Sequence, residues 1–180
     1  MKRVTVLLAA LLLVLATAAP AAAAKPVTLF DEDYDTGPGV ADSSMCGFDV
    51  TYHGWGHASY REWQDATGFP IRGLFQAHGW DSFTNPATGT MVAGKFHASV
   101  VSTDFSYDAA TGIWTFQLRP AGVFMNIQLP GEGIVFHEAG QYRWFATASD
   151  PLGSDQVLVF ERFRGVSHFD VAALCEALAE

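Results

Sequence analysis

The chain has 180 residues, 49% of them hydrophobic and 16% charged, with a formal net charge of −9. That is the length and apolar content of one domain with a real core. An acidic balance with no Lys/Arg stripe repels phosphate backbones, which argues against nucleic acid as a partner.

The first 24 residues read as a secretory signal peptide. Lys2 and Arg3 precede an apolar run from Val4 to Ala16, and small residues end in Ala22-Ala23-Ala24 before Lys25-Pro26. The apolar run is shorter than the roughly 20 residues a membrane span needs. Cleavage is expected near Ala24, leaving residues 25–180 as a single β-rich domain, secreted and off the membrane. The removed segment carries two basic residues and no acidic one, so the formal charge goes from −9 to −11.

A short strand is expected at Val27–Phe30, followed by Asp31-x-Asp33-x-Asp35, with Asp42 where a calcium loop would end. Alternating carboxylates suit a hard cation, but Thr36 stands where such a loop needs glycine, so the segment reads as an acidic linker. No metal and no cofactor are expected.

Cys46 and Cys175 are the two cysteines, and in an oxidising compartment they are expected to pair. The bridge would close a loop of 129 steps, an entropic stabilisation of at most about 5 kcal/mol.

From Cys46 onward the punctuation is that of strands and turns. Asp65–Gly68, Asn85–Gly89 and Asp108–Gly112 are Gly-bearing turns closed by Asp or Asn, with further breaks at Pro120–Gly122, Pro130–Gly133, Ala139–Gly140 and Asp150–Gly153, and each reads as a hairpin end. Between them apolar residues alternate, as in Phe48, Val50 and Tyr52, or Trp114, Phe116 and Leu118. About ten strands result. A single helix is expected over 169–178, with Asp170 as N-cap and Val171, Leu174, Cys175 and Leu178 on one stripe. An all-β antiparallel meander follows, most economically a closed or nearly closed barrel, with the disulfide holding the terminal helix against the segment at Cys46.

The order Cys46-Gly47-Phe48-Asp49-Val50, Thr84–Gly89, Gly94-Lys95-Phe96 and Leu174-Cys175-Glu176-Ala177-Leu178 resembles a group of exported actinobacterial proteins with no assigned function. The resemblance implies secretion and a β-rich fold and transfers no catalytic or binding residue.

Catalytic signatures are missing. His137-Glu138 lacks the second histidine of a zinc-protease motif, His53 and His57 stand too far apart along a strand to share a metal, and there is no nucleophile elbow or phosphate loop. Glu62, Glu138 and Glu161 lie on expected strands, and Glu138 and Glu161 share parity with apolar neighbours, which makes those two the candidates for inward carboxylates. Trp55 and Trp63, with His57 between them, border Gly or polar residues rather than an apolar face, which makes them the candidate ligand-binding side chains at a barrel mouth near the Asp65–Gly68 turn. The favoured reading is a secreted barrel that binds a small apolar or aromatic ligand or a surface partner without chemistry. The alternatives are an envelope structural or interaction protein with no pocket and a barrel-type cyclase or isomerase. Oligomeric state is open.

Overall fold

A computed structural model describes residues 25–40 and 45–180; the signal peptide expected over 1–24 lies outside the described residues. The order is β1 (Val27–Asp35), β2 (Gly39–Val40), β3 (Thr51–Gln64), β4 (Pro70–Thr84), β5 (Met91–Asp108), β6 (Ile113–Leu129), β7 (Gly133–Ala148), β8 (Val157–Phe169) and α1 (Val171–Ala179). Every ladder is antiparallel and runs β1-β3-β4-β5-β6-β7-β8, with the two-residue β2 beside β3. The sheet is a meander, as the turn spacing implies. Among the described residues no ladder joins β1 to β8, so the sheet is open rather than closed on itself.

The strands are fewer and longer than the sequence suggests. β6 runs straight through Pro120–Gly122 and β7 through Ala139–Gly140. These glycines mark a crease in the sheet instead of turns. Gly56 pairs with Gly79, and a Cβ on either would run into a carbonyl oxygen of the facing strand. Gly122 pairs with Gly140 and has φ +139°, which a side chain resists. Glycine inside a strand permits close backbone approach and sharp bending, and such glycines face one another on either side of β5, Gly56 with Gly79 and Gly122 with Gly140 and Gly165.

The acidic segment is a second correction. Asp31, Asp33 and Asp35 lie within β1, not in a linker, and face His57 and His53 of β3. The turns behave as read: the Asp65 carboxylate accepts from the backbone N–H of Thr67 and Phe69, and that of Asp108 from the N–H of Ala110.

Beyond the crease on one side, Val50, Phe83, Ile127, Leu129 and Phe136 form the larger core cluster, closed by Leu174 and Leu178 of α1. The Asp170 carboxylate caps the helix by accepting from Ala173 N–H at 3.0 Å. Cys46 and Cys175 are bonded, and the buried Asn85 amide donates to the Leu178 carbonyl at 3.0 Å. Each fully buried leucine of the helix contributes about 1.5–3 kcal/mol.

Candidate functional site

Alternation sends Ala58, Tyr60 and Glu62 of β3 to the same face as the core, here called inner, and His53, Trp55 and His57 to the outer face. Phe30 of β1, Phe75 of β4, Val100 and Ser102 of β5, and Phe116 and Leu118 of β6 follow the same parity. Phe105 would point outward, but a bulge between Thr103 and Ser106, with Asp104 at φ +58°, turns it in to stack on Phe116 at 5.4 Å.

These side chains line a half-open cavity of about 320 Å³ at the end of the sheet away from the helix. Leu152 and Pro151 from the β7–β8 turn fold over its edge, with the Gln156 amide donating to the Pro151 carbonyl at 2.7 Å. The wall is aromatic, and its polar members are few. Tyr60 is 4% exposed and its pKa is pushed up to about 12, chiefly by burial and further by the Glu62 carboxylate, while its hydrogen bond with Ser102 holds the rise back. Glu62, 8% exposed, accepts from the Gln64 amide at 2.7 Å.

A second buried acid sits across the crease on the same face. The Tyr52 hydroxyl donates to Asp81 Oδ1 at 2.6 Å, and burial raises the Asp81 pKa against that hydrogen bond. Burial, and Asp81 after it, raise the pKa of Tyr34 as well. Of the three strand carboxylates, Glu62 is the buried one, and not Glu138 or Glu161, to which parity with apolar neighbours pointed. Tyr142 donates to Glu138, and a register shift at Arg143/Trp144 leaves Glu161 paired with Arg143.

Trp55 and His57 stand side by side on the outer face. With Asp33, Asp35, His78 and Trp80 they line an open groove of about 620 Å³. Trp55 is directly opposite Trp80, whose ring lies 4.9 Å from Lys95 Nζ. His57 Nδ1 is 3.0 Å from Asp33 and its Nε2 2.7 Å from Asp31, so both ring nitrogens must donate, which the imidazolium alone can do. Those hydrogen bonds, Asp33 first, raise its pKa. Opposed register also places His57, His78 and His97 in a row across three strands, but among the described residues no three such ligands converge on a metal position. Trp63 shares the outer face, roughly 26 Å along the strand from Trp55 by the usual rise, under the Arg72 guanidinium at 4.9 Å. None of Trp55, Trp63 and His57 lines the apolar cavity. The lining residues come from five strands and the β7–β8 turn and share no motif; parity places the strand residues on one face, but neither Phe105 nor the turn residues follow from it.

The fold and its sites thus define an all-β antiparallel meander with one C-terminal helix, a disulfide and an aromatic inner cavity. The chain matches no family model, no curated protein and no solved structure.

Proposed function

We propose that this is an exported binding protein whose inner cavity takes a small apolar or aromatic molecule without transforming it. The observation that carries the reading is the cavity itself: apolar and aromatic walls with a few placed polar groups are the general form of small-molecule sites. The meander acts as a barrel-like container left open between β1 and β8. Export is supported by the leader pattern ending at Ala24, the likeness to exported actinobacterial proteins and the disulfide, and no helix among the described residues is long and apolar enough to cross a membrane. A cyclase or isomerase would need a ready proton carrier. Burial pushes the Tyr60 pKa up to about 12, which makes its hydroxyl a weaker acid than that of an ordinary tyrosine and favours binding over catalysis.

The test uses the uncharged fluorophore N-phenyl-1-naphthylamine. Saturable fluorescence enhancement is expected, abolished in Ser102→Phe, which fills the cavity, and weakened in Leu152→Ala, which opens its exposed rim. No enhancement, or enhancement indifferent to both variants, would overturn the proposal. Native mass spectrometry of protein from its own host then identifies the natural guest. A second reading, a surface partner on the outer groove, is favoured by the paired Trp55 and Trp80; Trp80 is 40% exposed.

A further inference from the structure

Eight Lys and Arg residues follow Ala24 in an acidic chain. Four of them, Arg119, Arg143, Arg162 and Arg164, line one recess of about 140 Å³ on β6, β7 and β8. Arg143 is directly opposite Arg162, and Gln141 opposite Arg164. Leu118 pairs with Trp144, so the same register sets Arg119 against Arg143. Like charges placed directly opposite destabilise a sheet. Three in a row across adjacent strands is therefore an arrangement that an anion would relieve.

The local partners hold the side chains and leave charge to spare. The Gln117 side-chain Oε1 accepts from Arg119 Nε–H at 2.7 Å. Glu161 Oε2 lies 2.7 Å from the buried Arg143 Nε, close enough to pair but out of line for a hydrogen bond. Among the described residues, Arg162 and Arg164 have no carboxylate within ion-pair distance. Guanidinium forks match the paired oxygens of phosphate and sulfate, and the Gln141 amide adds a neutral donor at the wall.

We propose that this recess binds one tetrahedral oxyanion, a phosphate or sulfate group, among Arg119, Arg143, Arg162 and Arg164. Its volume holds one compact group, and the chain's negative charge repels a polyanion, so the guest is small. Phe145, 48% exposed and 5.9 Å from the Arg143 guanidinium, offers a shelf for the organic part of a monoester.

Calorimetric titration of the oxidised protein at low ionic strength with inorganic phosphate, sulfate and phenyl phosphate tests this, with chloride as the control anion. One-to-one saturable binding is expected for at least one of the three, weakened about tenfold or more in both Arg162→Gln and Arg164→Gln, as loss of a charge-assisted hydrogen bond does. Arg72→Gln, remote from the recess, should leave it unchanged. Tighter binding of phenyl phosphate that is lost in Phe145→Ala identifies a monoester; equal binding of phosphate or sulfate identifies the free anion. Circular dichroism confirms that both edge-strand variants are folded. Absence of saturable heat with all three anions, or equal affinity in wild type and both glutamine variants, overturns the proposal.

Discussion

The two ends of this sheet are built from the same strands and have opposite interiors. At the helix end Val50, Ile127, Leu174 and Leu178 are fully buried, and a disulfide and the Asn85 hydrogen bond secure the lid. At the other end the aromatic side chains meet at ring separations of 5.4–6.2 Å and leave a cavity, bordered by the turn that carries Leu152, itself 50% exposed. Close-packed aliphatic layers specify a fold, whereas a wall of rings that does not close leaves room for a guest. Stability and binding should therefore separate along the strands.

The largest expected effects fall at the helix end. Reduction of Cys46–Cys175 should cost about 2–5 kcal/mol, and Leu174→Ala about 2–5 kcal/mol, both read from denaturant midpoints. Phe75→Ala, at a half-buried wall position beside an existing void, should cost about 1 kcal/mol in stability while weakening binding of the naphthylamine probe by about 1–2 kcal/mol. Equal stability losses for Leu174→Ala and Phe75→Ala would mean that the cavity end is packed core as well.

Asp81 lies between these regions and has the next largest effect. Its raised pKa means that the folded state holds the proton more tightly than the unfolded chain, so its contribution to stability falls as pH rises from about 3.8 through the raised value. Asp65 and Asp108 act in the opposite sense. Their turn hydrogen bonds, from the Thr67 hydroxyl and the Ala110 N–H first, lower their pKa values, so their stabilisation is present above about 3.8 and lost as pH falls. Asp81→Asn should raise stability at pH 7 by an amount on the order of 1 kcal/mol, because Tyr52 can still donate to the amide oxygen while the buried charge is gone. Melts from pH 3 to 8 should show the variant losing the wild-type decline across the Asp81 window. A variant less stable than wild type at pH 7 would show that the carboxylate is needed there.

How much of this was legible varies by region. Turn chemistry is local, so Asp65, Asn85, Asp108 and Asp150 marked the hairpins, and Asp170 the helix start. The glycine crease is not legible locally, because Gly122 and Gly140 break the alternation whether the chain turns or bends, and only the facing strand decides which. The extension of β1 past Phe30 is hidden for a related reason: aspartate is depleted in strands, and what holds Asp31–Asp35 there is His53 and His57, some 20 residues away. The arginine recess depends on register between strands, which no single segment encodes. Parity did say which residues share a face; it could not say which face bends inward.

His57 makes the hold on β1 sensitive to pH. The strand carries Phe30 into the cavity, is largely exposed, and is tied to β3 by His57 to Asp31 and Asp33 and by His53 to Asp35. The His57 pKa is raised, so the stabilisation is full below about 6.5 and lost as pH rises through the folded value. Amide exchange of residues 27–35, corrected for intrinsic pH dependence, should accelerate through that window in wild type and show no such step in His57→Gln. Exchange that stays flat in wild type would remove β1 from the account of access to the cavity.

The smallest effects are expected at the residues that sequence alone singles out. Trp55 belongs to the outer groove, and Trp63 lies on the same outer face against Arg72, at the cavity's end of the sheet but on the other side of it. Trp63→Ala should cost about 0.5–1 kcal/mol through the lost cation–π contact, and Trp55→Ala about as little, since both rings are part-exposed. Neither should change affinity for the uncharged probe by more than about twofold, because a side chain on the far face of a strand contributes no contact to the cavity. A tenfold loss in Trp55→Ala with an unchanged melt would move the binding site to the outer groove beside Trp80 and His57, and the comparison between the two ends of the sheet would then concern stability alone.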